Sequence, residues 1–504
     1  MRVSHSNLYA NFIENLNNAS GKLMELNMKA SSQKRINKPS DSPVDYMRVL
    51  NYRDSIDALK QYQKNIDTGK GWLSLADETM MQAQNMLTRT KELAEQAATG
   101  TITKNERDII AKEARQIFNQ MINLANTEYE GKSIFGGQKV EGSAFTQKLY
   151  ATERNVDPPP GENNSVKSIE GSTDKTILIQ FLETKDIGVG DGSTNFQYSI
   201  DGGSSWKQDT IPEPAAGDSP KVTLSNGVTI TFKDGTSVQQ VADAQDTTGS
   251  WVWIRPSAQY NGDDNENIEV ENYSNVTGEA TGNFKQNTLV RIDSYSSPDI
   301  SYSYSSDGGQ TWETGNIASD TELKFLVPGG KLETTGVPTE GDQFVIRPSQ
   351  ADIDVEISPD EMLTINNVGK DVFGGIFKNA NGNEKISFAD ENAVSKNIFE
   401  TMGKFIGYLE TNNQDGVQEA LENITDSTNH LSNKLADVGA RESRLESSKT
   451  VLSGLELDQK ERMSNLEDVD VAELMTELAN QEMIYQAVLK SSSTIMRMNL
   501  VNYV

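Results

Sequence analysis

An apolar residue at every seventh position constrains the fold of this chain more than any other sequence feature. Near the start the repeat runs from Tyr52 to Ala94, and near the end it runs from Val417 to Leu466 with one polar member, Gln459. Repeats of this length are typical of helices that pack side by side as coiled coils. Ser42 and Pro43 provide an N-cap and a first helical residue, which predicts a helix over 43–98 about 80 Å long.

Shorter helical patterns flank these repeats. Thr103 and Glu106 have capping-box spacing, and a further helix is predicted over about 392–410. The extreme termini carry apolar stripes at helical spacing, which we predict as the assembly interface: Leu8, Phe12, Leu16, Leu23 and Leu26 in the first, and Leu474, Leu478, Tyr485, Val488, Ile495 and Leu500 in the last. Two interpretations stay open, a helical hairpin within one core or burial against neighbouring subunits.

The middle of the chain changes to a β pattern punctuated by proline and glycine. Alternating stretches around Asn-Gly turns predict strands. "FQYSIDGGSSW" followed by "WVWIRPSAQ" returns as "ISYSYSSDGGQTW" followed by "FVIRPSQAD", which indicates two copies of one β unit. We therefore expect Trp206 and Trp312 to occupy equivalent buried positions.

Both copies contain S-x-D-x-G-x-[ST]-W, a pattern that resembles the Asp-box hairpins of sialidases. In this pattern the aspartate accepts backbone amides, the glycine supplies a positive φ and the tryptophan packs the hairpin. The residues concerned are Asp201, Gly203, Trp206, Asp307, Gly309 and Trp312. A sialidase would also need an arginine cluster and a propeller, and two units make no propeller. A structural hairpin is therefore the favoured interpretation.

Composition excludes several classes of site. There is no cysteine, so thiolate metal sites, thiol catalysis and disulfides are ruled out. The two histidines lack metal-ligand spacing, and His430 is predicted to be an exposed helix residue. The run Gly262–Glu269 lacks the order of a calcium loop and is predicted to be a solvated acidic loop. The net charge of -28 disfavours nucleic acid, and neither a Sec signal nor a membrane span is visible. We predict no catalysis, cofactor or metal.

Three segments resemble the flagellin superfamily. They are "KRINKPSDSPVDYMRV", "NLANTEYEGKSIFGG" and "LADVGARESRLE", and the resemblance covers roughly 1–137 and 391–504. The motif residues are Arg35, Asn37, Pro39, Asp41, Pro43, Gly439, Arg441 and Arg444. The two prolines and the ending "NLVNYV" are similar to the superfamily members that join hook to filament, rather than to filament flagellins. Ser42 departs from their second aspartate.

The resemblance implies a role and partners. The protein would be exported without a Sec signal through the flagellar type III apparatus with an export chaperone. It would self-associate in a ring outside the cell, contacting an adjacent hook-associated protein and the flagellin of the filament. The alternatives are a filament flagellin or, from another class, a secreted protein that binds or cleaves glycans through its β units.

The predicted fold is α+β multidomain, with a long α-helical coiled-coil bundle formed by both termini and β-rich modules inserted in the middle. The expected boundaries are terminal inner helices at 1–42 and 468–504, a helical bundle at 43–127 and 391–467, a hairpin and linker at 128–165, β modules at 166–260 and 261–350, and a return segment at 351–390.

Overall fold

The computed structural model describes residues 5–100, 102–160, 164–188, 190, 192–215, 217–242, 248–266, 268–318, 323–378, 384–388 and 393–501. The chain forms two compact units. One comprises Met1–Thr68, Glu356–Met362 and Arg444–Val504, and the other comprises Gly69–Val355 and Leu363–Ser443. Helices dominate the first unit, whereas the second combines helices with several sheets.

The helices are α1 (His5–Ser32), α2 (Pro43–Ala98), α3 (Lys104–Ala125), α4 (Gly369–Phe373), α5 (Ile398–Glu410), α6 (Gln414–Glu467) and α7 (Val471–Val501), with a 3-10 turn at Val394–Lys396. The strands up to the second Asp-box are β1 (Glu128–Tyr129), β2 (Lys132–Ser133), β3 (Phe145–Arg154), β4 (Val156–Asp157), β5 (Val166–Glu170), β6 (Ile177–Phe181), β7 (Lys185–Ile187), β8 (Thr194–Ser199), β9 (Lys207–Ile211), β10 (Lys221–Thr223), β11 (Thr229–Phe232), β12 (Thr236–Val238), β13 (Trp251–Tyr260), β14 (Ile268–Tyr273), β15 (Gly278–Gly282), β16 (Thr288–Ser296) and β17 (Asp299–Ser305). The remaining strands are β18 (Glu313–Ile317), β19 (Lys324–Val327), β20 (Gly330–Thr334), β21 (Gln343–Pro348), β22 (Asp354–Ser358), β23 (Glu361–Thr364), β24 (Ile376–Lys378) and β25 (Glu384–Ile386).

The heptad repeats form the buried stripes of the two longest helices. Helix α2 begins at Pro43 as predicted, and its heptad positions are fully buried from Ile66 to Ala94. Helix α6 buries the equivalent positions from Val417 to Leu452, whereas the polar member Gln459 is only partly buried. The predicted capping box of α3 is present, with both reciprocal hydrogen bonds between Thr103 and Glu106. The helix expected over 392–410 begins later, at Ile398, because Asn397 caps it.

The first β module is built on a sheet in which β9, β8, β6, β13 and β3 are neighbours in that order. A second sheet has the order β5, β11, β10, and a third contains β4, β12 and β7. Apolar residues from all of them form one core, which includes Ile179, Phe196, Phe232 and Ile254. Strand β3 lies in the segment predicted as hairpin and linker, so the module takes its opening strand from residues before 166.

The second β module repeats the first two of these sheets, whereas the sheet of β4, β12 and β7 has no counterpart among its described strands. Its larger sheet has the order β18, β17, β16, β21, β14, and its smaller sheet has the order β15, β20, β19. The corresponding strands also follow one another in the same chain order in both modules. A separate core, including Val290, Phe325 and Phe344, fills it. The sequence repeat is therefore a structural repeat.

The two Asp-box hairpins share their hydrogen bonds. In the first, the Asp201 Oδ1 accepts the amides of Ser204 and Ser205 at 2.9 Å, and the Ser199 hydroxyl donates to it at 2.7 Å. In the second, the Asp307 Oδ1 accepts the amides of Gln310 and Thr311 at 2.9 Å. Gly203 and Gly309 have φ of 85° and 90°, which disfavours any residue with a side chain there. The aspartates and glycines thus hold a turn, as predicted.

The tryptophans of the two hairpins differ, so the expectation of equivalent buried positions is wrong. Trp206 is partly buried and meets the Trp251 ring edge-on at 6.5 Å. Trp312 is 38% exposed and lies 4.7 Å from the Arg291 guanidinium. The two tryptophans have different partners because the position of Trp251 on β13 is occupied by Gln343 on β21, which offers no ring to pack against.

Lowering the pH should destabilise the first Asp-box hairpin, because it protonates Asp201. Burial alone would raise the pKa of Asp201, but hydrogen bonds from Ser205, Ser199 and Ser204 lower it to about 2. An unfolded aspartate titrates near ~3.9, so the carboxylate stabilises the folded state above that pH and its contribution is lost as the pH falls toward 2. We expect the urea midpoint of Asp201→Asn to converge on that of the unsubstituted protein between about pH 4 and pH 2. Parallel midpoint curves over that window would contradict this.

Two sequence expectations in the second unit are wrong. The acidic run Gly262–Glu269 is not simply solvated, because Asp264 is buried and forms an ion pair of 3.0 Å with the buried Lys370. His430 is not exposed either. Its Nε2 lies 2.9 Å from the Asp371 carbonyl oxygen, its ring contacts Phe388, and burial lowers its pKa. In both cases the partner is more than fifty residues away in the sequence, which local pattern cannot reveal.

Candidate assembly interface at the chain ends

Helices α1 and α7 pack against each other along the stripes that the sequence predicts. Ala19 and Leu474 are the most buried residues of this pair, at 7% and 3% exposure, and the Gln481 side chain donates to the Ala19 carbonyl at 3.1 Å. The side chains of the other predicted positions are partly buried at Phe12, Leu16, Leu23, Leu26, Leu478, Tyr485 and Val488. The first and last predicted positions, Leu8, Ile495 and Leu500, are helical but their side chains lie outside the described residues.

A second apolar strip of α7, here called the outer flank, does not face α1. It consists of Val471, Met475 and Leu489, which are 51%, 57% and 42% exposed. These residues lie beside the seam of Leu474 and Leu478 on the helix surface, because positions one turn apart share a side. Two helices alone cannot bury two strips of α7. The α1–α7 pair therefore agrees with the hairpin interpretation for the seam of Leu474 and Leu478, and the intersubunit interpretation stays a prediction for the outer flank.

The chain ends are joined by a short backbone pairing, here called the clasp, between residues 33–35 and 467–469. Lys34 and Asp468 form an isolated antiparallel bridge, and the Arg35 amide donates to the Glu467 carbonyl at 2.7 Å. The Glu467 carboxylate is buried and accepts from Lys34 Nζ at 2.7 Å and from Arg53. Sequence reasoning identified Arg35 but missed Glu467 and Arg53, since neither belongs to an apolar repeat.

The motif "NKPSDSP" forms the turn between the clasp and α2. The Asp41 Oδ2 accepts the amides of Asn37 and Lys38, both at 2.9 Å, and these bonds lower the pKa of Asp41. Pro39 lies within this turn, and Pro43 occupies the first position of α2, where no amide hydrogen is needed. The motif thus fixes where α2 begins and how the chain enters it.

The arginines of "LADVGARESRLE" on α6 contact strand β23 and the residues that follow it. Arg441 donates to the carbonyls of Thr364 and Asn366 at 3.2 and 3.0 Å, and Arg444 pairs with Glu361 at 2.5 Å. Gly439 is exposed, and no described atom lies within 4 Å of the position that a Cβ would take. Nothing within the described residues explains this glycine.

The described residues offer no candidate for two other kinds of site. None of the described helices combines the length and the apolarity that crossing a membrane requires. Within the same residues, no group of three or more histidines, aspartates or glutamates is arranged to hold a metal ion.

Comparison with known families identifies both ends of the chain. The bacterial flagellin N-terminal helical region matches residues 3–140, and the bacterial flagellin C-terminal helical region matches residues 421–504. Both ends of the chain therefore match the helical regions of bacterial flagellins. The flagellin N-terminal region thus contains α1, the clasp turn, α2 and α3, and the flagellin C-terminal region contains most of α6 and all of α7. Proteins of this family are structural components of the flagellum.

Individual relatives are distant. Flagellar hook-associated protein 3 of Salmonella typhimurium is 26% identical over 222 residues, which are 44% of this chain and 62% of that relative. The chain therefore spans less than two thirds of that relative's length. Flagellin of Salmonella muenchen is 22% identical over 490 residues, covering 94% of this chain and 93% of the relative. A putative flagellar hook-associated protein from Vibrio parahaemolyticus has a TM-score of 0.38 at 11% identity, covering 85% of this chain and all of that one.

Proposed function

We propose that this flagellin-family chain is the structural protein that joins hook to filament, and that it has no catalytic activity. The observation that carries the proposal is the outer flank of α7. Val471, Met475 and Leu489 are an apolar strip on a helix that already packs on α1, so a further protein surface is needed to bury them. Such a surface exists wherever copies of a flagellin-family chain, or the chain and flagellin, pack side by side.

Two features favour the junction over the filament itself. Pro39 and Pro43 lie in and directly after the turn before α2, and with prolines at these places the motif resembles that of junction proteins. A relative that matches 44% of the chain at 26% identity is named flagellar hook-associated protein 3. On this proposal the chain forms a ring, contacts a neighbouring hook-associated protein on one side and flagellin on the other, and lies outside the cell after export by the flagellar apparatus with a chaperone and without a Sec signal.

The second candidate is a filament flagellin. It is favoured by the match to Salmonella muenchen flagellin, which extends over 94% of the chain and includes the β modules. The two roles predict different copy numbers and places. A junction protein occurs in one short zone at the base of each filament, whereas a filament flagellin forms its whole length.

Deletion of the gene should stop filament growth without stopping hook formation. We expect the deletion strain to make hooks, to release flagellin into the medium and to be non-motile, because filament subunits would have no matching surface on which to polymerise. Adding back the full chain should restore filaments, and a chain lacking residues 470–504 should not. Immunogold electron microscopy of the complemented strain should label the hook–filament boundary alone.

Two results would overturn the proposal. Label along the whole filament would establish the filament role instead. Normal filaments in the deletion strain would exclude both roles.

A further inference from the structure

The same face of the larger sheet has different surroundings in the two β modules. Strands β13 and β21 correspond through the shared sequence "IRPS", which aligns Arg255 with Arg347 and Trp253 with Val345. The pairing of the strands agrees with this alignment. Trp253 lies opposite Leu178 on β6, which lies opposite Ser199, and Val345 lies opposite Leu289 on β16, which lies opposite Ser305. Residues opposite one another across strands share a face.

In the first module this face is covered by α5. The Arg255 guanidinium forms a fully buried ion pair of 2.5 Å with Glu400, and the Trp253 ring lies 4.9 Å from the Tyr408 ring. A Cβ on Gly403 would lie 2.2 Å from the Pro256 carbonyl oxygen, so helix and strand are in direct backbone contact. The Asp-box turn takes part as well, because a Cβ on Gly202 would lie 2.1 Å from the Glu410 carbonyl oxygen at the end of α5.

In the second module none of the described elements covers the corresponding face. Gly308 stands where Gly202 does, and apart from its own chain neighbours no described atom lies within 4 Å of the position that a Cβ would take. Arg347 remains about half exposed and pairs with Glu271 at 2.7 Å, a residue of its own sheet. The large ring of Trp253 is replaced by Val345, and Trp251 is replaced by Gln343. The face is therefore adapted to water and does not need a helix like α5.

Two aromatic rings nevertheless remain on this open face. Tyr273, Gln343 and Arg291 lie opposite one another on β14, β21 and β16, so they form one row across the sheet. Tyr273 is 62% exposed at one end of the row, and Trp312 lies over the Arg291 guanidinium at the other end. Tyr273 and Arg291 are two strand spacings apart, or about 10 Å. Arg291 is in turn held by Asp293 at 3.0 Å.

We propose that this face of the second module binds a neutral oligosaccharide chain that lies across the strands. Sugar rings have flat C–H faces that stack on aromatic rings, and Tyr273 and Trp312 offer two partly exposed rings on this one face of the sheet. Between the rings, the Gln343 amide and the Arg291 guanidinium can bond to hydroxyls. This binding does not depend on the junction role.

Charge decides which class of glycan fits. The face carries Arg291 and Arg347 against Glu269, Glu271 and Asp293, an excess of one negative charge in a chain of net charge -28. A polyanionic glycan would be repelled, whereas a neutral hexose or N-acetylhexosamine chain would not. Apolar protein partners are disfavoured for a different reason, because the two large rings of the covered face, Trp251 and Trp253, are absent here.

The test is calorimetric titration of the full-length protein with hexamers of N-acetylglucosamine, glucose and mannose, and with heparin as the polyanion. The variants are Trp312→Ala and Tyr273→Ala. The matched control is Tyr295→Ala, because Tyr295 is also exposed in the second module but lies opposite the buried Ile300, on the core side of the sheet. We expect at least one neutral hexamer to bind, a loss of affinity of roughly tenfold or more in each of the two variants, and no change in the control.

Trp312 also donates to the Gly309 carbonyl within its hairpin, so Trp312→Ala can disturb the turn. Tyr273→Ala removes only an exposed edge residue, so its melting temperature should stay unchanged while its affinity falls. The proposal is overturned if no neutral hexamer binds, if heparin alone binds, or if Tyr295→Ala weakens binding as much as Tyr273→Ala does.

Discussion

Replacing Met475 and Leu489 together by aspartate should abolish incorporation into the flagellum while leaving the α1–α7 pair folded. Both side chains are about half exposed in the isolated chain, so charges there are solvated and the helix content of the monomer should not change. If another subunit buries the outer flank, each carboxylate loses its hydration without gaining a partner, which costs several kcal/mol. Motility on soft agar and filament counts by electron microscopy measure the effect.

The matched control is Asn480→Asp. It adds the same charge to an exposed position of the same helix, on the side away from both the seam and the outer flank. We expect normal filaments from this variant. A second comparison is Leu478→Asp, which lies in the seam with α1 and should lower the thermal stability of the pair as well as assembly. Normal filaments from Met475→Asp/Leu489→Asp would show that the outer flank faces water in the flagellum.

The second large effect is expected at the buried pair of Arg255 and Glu400. Arg255→Leu should destabilise the first β module by about 3–5 kcal/mol, because it leaves the carboxylate of Glu400 buried with only the Ser257 hydroxyl, at 2.7 Å, as a named partner. Burial by itself raises the pKa of Glu400, but Arg255 reverses that shift and the pKa stays below its usual value. Urea denaturation followed by tryptophan fluorescence would report the loss, since Trp251 and Trp253 are on this strand.

A double variant distinguishes the contribution of the ion pair to stability from the contribution of side-chain packing. Arg255→Met with Glu400→Leu removes both charges and keeps apolar volume, so most of the lost stability should return. Arg347→Leu is the matched control in the second module, where the equivalent arginine is exposed and its pair with Glu271 contributes at most about 1 kcal/mol. Equal losses from Arg255→Leu and Arg347→Leu would contradict the role assigned to burial by α5.

The local sequence pattern predicted the helices and strands well, but it predicted poorly which distant residues contact one another. The heptads, the start of α2 at Pro43 and the capping box of Thr103 depend on neighbouring residues alone, and the structure confirms each. The Ser42 hydroxyl, predicted as the N-cap of α2, donates to the Asp45 carboxylate at 2.9 Å. The repeated β unit was also visible, because strand order follows from the repeated sequence. The site predictions at the chain ends identified the stripe of α7 but not the clasp, since Glu467 and Lys34 meet from opposite ends of the chain.

The wrong sequence predictions have one physical cause. Burial of Asp264, contact of His430 with Asp371, and the different surroundings of Trp206 and Trp312 all depend on groups that tertiary folding brings together. A sequence pattern reports whether a residue suits a helix or a strand, and the two tryptophans suit their hairpins equally. Whether the tryptophan ring contacts another ring depends on the residue at one position of a strand farther along the chain, which is Trp251 in the first module and Gln343 in the second.

The clasp also bears on the time course of folding. Lys34 and Glu467 are 433 residues apart, so their pairing closes almost the entire chain into one loop. The entropy of closing so long a loop must be offset by contacts that already exist, which places this pairing late in folding. A chain that ends early can complete its β modules, yet it leaves the apolar stripe of α1 without α7. Translation errors near the C-terminus would therefore mark a defective chain by exposing the stripe of α1, where proteases and holding chaperones can recognise it.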